Sequence, residues 1–410
     1  MAARAPTPTG GARRAVGALL FTLIYLQKFG LTVSADLQFS IPMLFYFLLM
    51  PVMLLRSQAV IDGRRLCLYL TFLAAVLASQ VLASSTPSIS SLMQLLLLYL
   101  PFVLVCRLER EDIAALFRLF STLMILPALL VLVQYAYQLA HGAGTSLGIN
   151  PYVPSQFLLQ GYMYESSTEN WITYNRPNGM VFLEPSFCSA FLASAIILEL
   201  CTRVAKARIL LFSVALVACA GATGMVMLGV ALPLIALRRA PATTLILASL
   251  AGVLVLVLLW LGVDLPMTSR IEELGSQGAS GNARLMLPFE RLFDLLVDPS
   301  LFFSGHGAGS ITAQAEQFGA AWALLKMMYE YGILAAFLYL LLFISSADGQ
   351  IPLALKVALC VIFHLTGGYL LSPILVPLIF AFCVVTKAPE QAIGATRARA
   401  IFGGSLMAAR

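Results

Sequence analysis

The sequence predicts an all-α polytopic integral membrane protein of about 12 transmembrane helices, a short broken pair included, and three observations predict it. Apolar residues make up 60% of the 410, charged residues only 11%, and the mean hydropathy is +0.92. Many separate apolar runs approach the roughly 20 residues that carry a helix across a bilayer. Basic residues gather in alternate loops, as they do on the cytoplasmic side of a multi-pass protein. The net charge of +6 therefore reads as cytoplasmic loop charge. It does not point to nucleic acid as a partner.

The chain opens with a cytoplasmic tail, residues 1–14, carrying Arg4, Arg13 and Arg14. The apolar run that follows is too long for a signal-peptide core and has no clean small-residue cleavage site, so it is an uncleaved first span. Lys28 lies near its far end, placed to snorkel to the interface or to meet a carboxylate in the bundle. Further spans are expected at Phe39–Leu55, Leu66–Ala83, Ile89–Cys106 and Leu119–Ala140. Arg56, Arg64 and Arg65 occupy one connection and Arg107, Arg110 and Arg118 another, while the intervening loops hold no lysine or arginine. That alternation sets the N-terminus in the cytoplasm. Arg107–Phe120 reads as an amphipathic segment at the cytoplasmic interface.

The fifth span leads to a large external loop, residues 141–178, and Met180–Cys201 returns to the cytoplasm. The run Ile209–Leu237 is basic at both flanks, with Arg208 before it and Arg238-Arg239 after it. One crossing would strand a basic cluster outside, so the run is expected to cross twice, broken at Gly221-Ala222-Thr223-Gly224. Leu245–Val263 then leads to a second external loop, residues 264–319. Spans at Ala320–Ile344, Leu353–Gly367 and Ser372–Val385 complete a transmembrane domain over residues 15–387, ahead of a basic cytoplasmic tail, 388–410.

Several familiar chemistries are absent from the pattern. There is no P-loop, dinucleotide fingerprint or G-x-S-x-G elbow. The seven cysteines fall within spans or at their ends, so no disulfide framework is implied. Three scattered histidines without a Cys/His cluster predict no metal site. No cofactor is expected.

Candidate functional residues lie outside or at the edge of the spans. Arg176 sits in Asn175-Arg176-Pro177-Asn178-Gly179, a turn-forming string, and Glu184-Pro185-Ser186 follows as a helix start. Charges at membrane depth are costly and are often retained for function, although both residues would also serve as caps and interface anchors. The first external loop is rich in aromatics. Tyr164, Trp171 and Tyr174 suit a surface on which sugar rings stack, or an ordinary interfacial belt. In the second loop Arg270 precedes a flexible Gly/Ser tract. Arg284 and Arg291, one heptad apart, would share a helix face. Two guanidinium groups so placed grip a diphosphate bidentately, or touch lipid headgroups. Gly305–Gly309 surrounds His306 but follows no predicted strand, so it is no nucleotide loop. Lys326 and Glu330, four apart, are expected to form an intrahelical ion pair facing the bundle. His364 reads as a core residue.

Taken in order, these motifs carry a resemblance. Arg176-Pro177-Asn178-Gly179-Met180-Val181-Phe182-Leu183-Glu184-Pro185-Ser186 leads into a span, and the broken span with Gly221-Ala222-Thr223-Gly224 follows. Then come Gly281-Asn282-Ala283-Arg284, the Gly305–Gly309 turn and Tyr329-Glu330-Tyr331-Gly332-Ile333. The whole resembles the Wzy-type polysaccharide polymerase and O-antigen ligase superfamily over residues 176–342. Thr223-Gly224 stands where Ser-Arg is frequent in that family, and no ligase-type histidine signature is present. Both departures favour a polymerase of an exopolysaccharide of the xanthan or colanic acid kind.

The resemblance implies a GT-C-like fold in the bacterial inner membrane with its active site on the periplasmic face. It implies metal-independent, inverting transfer of a glycan from undecaprenyl diphosphate to another lipid-linked repeat unit. Arg176, Arg284, Arg291 and Arg270 would stabilise the leaving diphosphate, and Glu184, with His306 as the alternative, would act as base. Expected partners are lipid-linked oligosaccharides, membrane lipids, a chain-length regulator and export machinery. A ligase acting on a lipid A core or a protein, and a lipid-linked glycan flippase, remain as alternatives.

Overall fold

The computed structural model describes residues 9–34, 37–83, 86–142, 145, 147–159, 162, 175–202, 205–239, 304–313, 321–347, 350–367 and 369–387. Helices dominate because a helix satisfies its backbone N–H and C=O groups within one segment, which apolar surroundings demand. α1 (Thr9–Tyr25), α2 (Ile41–Leu55), α3 (Gly63–Leu82) and α4 (Ile89–Tyr99) open the chain. Side-chain caps start three of them. Ser40 accepts from the amide of Met43, Asp62 from Arg65 and Ser88 from Ser91, each satisfying an N–H that the first turn leaves over. α1 begins ahead of the boundary expected at residue 15. Its first turns pack along α5 (Arg110–Leu123), and Arg13 reaches Asp112 there at 2.9 Å.

Two features of the connections differ from the all-α expectation. A hairpin of β1 (Gly30–Ser34) and β2 (Leu37–Ser40) joins α1 to α2. β4 (Leu104–Leu108) lies between β3 (Val60–Ile61), antiparallel, and β5 (Val385–Lys387), parallel. β-Branched residues lie at these connections, and strand pairing satisfies backbone groups that the helix ends leave open. The expected span over 89–106 is correspondingly divided: α4 tightens into a 3-10 turn at Leu100–Val103 and then becomes β4. Arg65 is buried against this rim and donates to the carbonyls of Leu104 (3.0 Å) and Ser346 (3.3 Å).

The chain continues through α6 (Ile125–His141), α7 (Pro185–Thr202), α8 (Lys206–Cys219) and α9 (Ala222–Arg239). It ends with the single turn α10 (Ser310–Ala313), α11 (Ala323–Ser346), α12 (Leu353–Leu365) and α13 (Leu375–Cys383). By length and composition, four helical stretches among the described residues suffice to cross a membrane: Gly63–Leu82, Arg110–His141, Pro185–Thr202 and Ala323–Ser346. Shorter apolar helices lie at Ile41–Leu55, Ile89–Val103, Ala222–Arg238 and Leu353–Leu365. The span expected at Leu245–Val263 falls outside the described residues.

α7 organises the bundle. It is apolar on every side and buried over most of its length, as a helix surrounded by other helices must be. α8 and α9 pack on it, α12 packs on α9, α6 on α8, and α3 on α11. The run 209–237 is divided at Ala220, whose φ of 48° ends α8. The resulting tip rests on the start of α7. Cys219 donates to the carbonyl of Pro185 (3.3 Å), and the amide of Gly224 donates to Ser189 Oγ (3.1 Å). His364 is buried among the rings of Tyr339, Phe343 and Phe363, and the seven cysteines are free.

Candidate functional site

Two glutamines on α6 build the candidate site. Gln134 and Gln138 are four apart and share a helix face, and both are buried in an otherwise apolar helix. Gln134 Oε1 accepts from the amides of Asn178 (3.1 Å) and Gly179 (2.8 Å), and its Nε2 donates to Leu147 O (2.6 Å) and Asn178 Oδ1 (3.3 Å). Gln138 pairs with the backbone of Asn175, accepting its N–H at 2.7 Å and donating to its C=O at 2.8 Å. The segment Asn175–Gly179 is thus held on both sides of Arg176 as an extra strand would be held, by side-chain amides in place of backbone. Asn178 closes the turn by accepting from the amide of Met180 at 3.1 Å.

Arg176, half-buried, lines a small, partly open polar recess. Lys28, Gln134, Gln138, Asn150 and Asn178 line it too. Lys28 is 1% exposed. The sequence left it either snorkelling or facing a carboxylate, and among its interactions its Nζ donates to Asn150 Oδ1 at 3.1 Å. Its position is set locally: the carbonyl of Lys28 accepts from the amide of Leu159 (2.9 Å), next to a bridge between Phe29 and Leu158. Two cations and a set of amides converging on one recess suit an oxyanion flanked by hydroxyl groups.

Glu184 precedes the first turn of α7, as the helix-start pattern around Pro185 predicts. Its carboxylate accepts from Ser186 Oγ at 3.0 Å, and its carbonyl accepts from the amide of Cys188. It is not among the residues lining the Arg176 recess. The amide of Leu183, its neighbour, donates to Gln27 Oε1 at 3.5 Å, so consecutive residues at the end of α1 hold the Glu184 segment and line the recess. Tyr162 of the first long loop meets Phe187, one turn into α7, with ring centroids 6.3 Å apart. Trp171, Tyr174 and Tyr164 lie outside the described residues, as do Arg270, Arg284 and Arg291.

His306 lies elsewhere, in a turn docked on a broken helix. α11 is interrupted at Gly332, which takes φ 81° and ψ 169°. The break releases carbonyls of the preceding turn from their usual i+4 donors. The glycine turn supplies replacements: the amide of His306 donates to Tyr329 O (2.8 Å) and that of Gly307 to Glu330 O (3.0 Å). Gly305 needs its missing side chain here. At φ +64° a Cβ would sit 2.6 Å from the carbonyl carbon of Glu330. The far side of the turn is held by Gln80 Oε1, which accepts from Ala308 N at 2.7 Å, and by Ser88 N, which donates to Ala308 O at 2.8 Å. The His306 ring lies over Tyr329, with centroids 4.3 Å apart. Glu330 is wholly buried, with Lys326 Nζ 3.6 Å away and the amides of Gly309 and Ile311 close to its carboxylate.

Gln80, Gln134 and Gln138 are structural determinants that hydropathy and the charged motifs do not single out. The signal was present, because an amide within an apolar run needs a partner.

A helical, multi-pass membrane protein with an arginine-bearing segment clamped over a polar, cationic recess is the class that this architecture defines. Comparison with known families gives the particular one. The chain belongs to the WcaD colanic acid polymerase family, whose model matches residues 16–388. Membership makes it a polysaccharide polymerase of glycosyltransferase type, in keeping with its apolar helices and with the Wzy-type resemblance. No curated protein and no solved structure matches the chain.

Proposed function

We propose that this polymerase joins undecaprenyl-diphosphate-linked oligosaccharide repeat units at the periplasmic face of a bacterial inner membrane. The transfer is metal-independent and inverts the anomeric centre. The acceptor hydroxyl oxygen attacks the anomeric carbon of the donor glycan. The bond from that carbon to the diphosphate oxygen breaks, and the lipid diphosphate leaves with the electron pair. Glu184 takes the hydroxyl proton. Arg176 meets the charge that develops on the diphosphate, an electrostatic contribution that is strongest where water is excluded and the cation is already in place. Arg284, Arg291 and Arg270 act on the same diphosphate, and Trp171, Tyr174 and Tyr164 stack on its sugars. His306, on the glycine turn, is the second candidate base.

The observation that carries this reading is the clamp. Gln134 and Gln138 fix the backbone on either side of Arg176, which places a guanidinium in a polar recess before any substrate arrives. A residue that only anchored the chain to headgroups would need no such fixed geometry.

Arg176→Lys tests it. A bidentate guanidinium contact is not replaced by an ammonium, so the variant is expected to make no polymer at normal protein levels. Polymer at the wild-type amount would refute the assignment.

A further inference from the structure

The tip Gly221-Ala222-Thr223-Gly224 has no part in the mechanism above, yet it is seated against the residues that follow the proposed base. We infer that Ser186 is a positioning residue for Glu184, fixing its carboxylate for proton abstraction, and that the tip between α8 and α9 holds Ser186 through Ser189. The inference deepens the proposed function and rests on its assignment of Glu184 as base.

A glutamate side chain turns about several bonds, so a base at a helix start needs a contact that holds it towards the hydroxyl it deprotonates. Ser186 Oγ supplies one, donating to Glu184 Oε2 at 3.0 Å. Ser186 is itself held. Ser189 Oγ donates to the Ser186 carbonyl at 2.8 Å and accepts from the amide of Gly224 at 3.1 Å. Cys219, at the other end of the tip, donates to the carbonyl of Pro185 at 3.3 Å. The approach is close enough to require both glycines: a Cβ on Gly221 would meet the side chain of Ser189, and one on Gly224 would meet its carbonyl oxygen. Ser189 is wholly buried, so water does not compete for its hydroxyl. On the near side of the glutamate, the amide of Leu183 donates to Gln27 Oε1 at 3.5 Å. Glu184 is therefore set between elements distant in the sequence, the end of α1 and the α8–α9 tip. Helix packing alone would be served by the bonds of Ser189 and Cys219, whereas the Ser186 hydroxyl is directed at the carboxylate. Ser186 keeps its own proton throughout. The acceptor hydroxyl's proton passes to Glu184 as its oxygen bonds to the anomeric carbon.

The test measures kcat and KM for polymerisation of undecaprenyl-diphosphate-linked repeat units by the full-length protein in nanodiscs. Binding of undecaprenyl diphosphate and thermal unfolding are read on the same preparations. Ser186→Ala removes the donor, Ser186→Thr keeps a hydroxyl, and Ser189→Ala cuts the link to the tip. Ser194→Ala is the control, since Ser194 makes the same kind of bond further along α7, to the carbonyl of Ala190 at 2.8 Å. Ser186→Ala should lower kcat about ten- to a hundredfold, the range for a misplaced catalytic group, with KM and undecaprenyl diphosphate binding unchanged. Ser186→Thr should recover most of the loss, Ser189→Ala should lower kcat by a smaller factor, and Ser194→Ala should match wild type. Wild-type kcat in Ser186→Ala would overturn the inference and leave the proposed function standing. So would a loss that Ser186→Thr does not recover, or one matched by a fall in lipid binding or Tm, since either makes Ser186 a structural residue. Glu184→Gln separates the other failure. Wild-type turnover in that variant removes Glu184 as base, and the inference with it, and a wild type that forms no polymer overturns the proposed function and the inference together.

Discussion

Replacing Gln134 by leucine removes an amide of similar length and leaves the α6 backbone as it was. The side chain makes four bonds, two of them accepted from the amides of Asn178 and Gly179. Asn178 is 3% exposed, so water does not readily replace the lost acceptor. Taking a buried donor's partner away costs about 1–3 kcal/mol, hence roughly 2–6 kcal/mol for the two N–H groups together. That strain falls on the turn that carries Arg176. Even about 1.4 kcal/mol of it, expressed as disengagement of the turn, is a tenfold loss of the competent state. Gln138→Leu releases one N–H instead of two, so its effect should be smaller in the same direction. The assay is polymer formed per unit of purified protein, read beside thermal unfolding of each variant. Gln134→Leu should lose at least tenfold, with an intermediate value for Gln138→Leu. Wild-type polymerisation by Gln134→Leu would refute the role of the clamp.

Two further predictions concern the broken helix. Gly305→Ala places a methyl 2.6 Å from backbone that cannot yield, at φ +64°, and should lower stability by at least about 1–3 kcal/mol in a denaturation measurement. Gly10→Ala, in α1 with nothing within 4 Å, should not lower stability and should raise it by up to about 1 kcal/mol. Lys326→Met strands the buried carboxylate of Glu330 and should cost about 3–5 kcal/mol, the range for breaking a buried ion pair from one side. Lys326→Met with Glu330→Gln should recover part of that loss. A double variant less stable than Lys326→Met would show that the pair is not what the carboxylate is held by.

Much of the architecture was legible because its causes are local. Hydropathy marks the apolar runs, Pro185 marks the start of α7, and the basic residues on both sides of 209–237 led to an expected break at Gly221–Gly224, beside which the helix ends at Ala220. The i,i+4 spacing alone brings Lys326 beside Glu330. What was not legible depends on partners far apart in the chain. Val60, Val105 and Val385 have no local reason to share a sheet. Lys28 and Asn150 lie 122 residues apart, so local spacing could not name Asn150 as one of its partners. Gln134 and Gln138 were within reach of sequence reasoning, since two amides on one face of an apolar helix imply something polar to hold. Gly332 was a second such signal: a glycine within a span marks a place where the helix can break, and the Gly305–Gly309 turn is what the break receives. The candidate site was therefore legible as Arg176 and its turn, but not as a recess.

Under the function proposed above, the protein alone polymerises a diphosphate-linked repeat unit without a metal ion. The direct measurement supplies the purified full-length protein, in nanodiscs, with undecaprenyl-diphosphate-linked repeat units and EDTA, and separates the products on a gel. The expected result is a ladder of multiples of the repeat unit that persists with EDTA and disappears in Arg176→Lys. No ladder, with transfer appearing only when a lipid A core acceptor is added, would contradict it and make the protein a ligase.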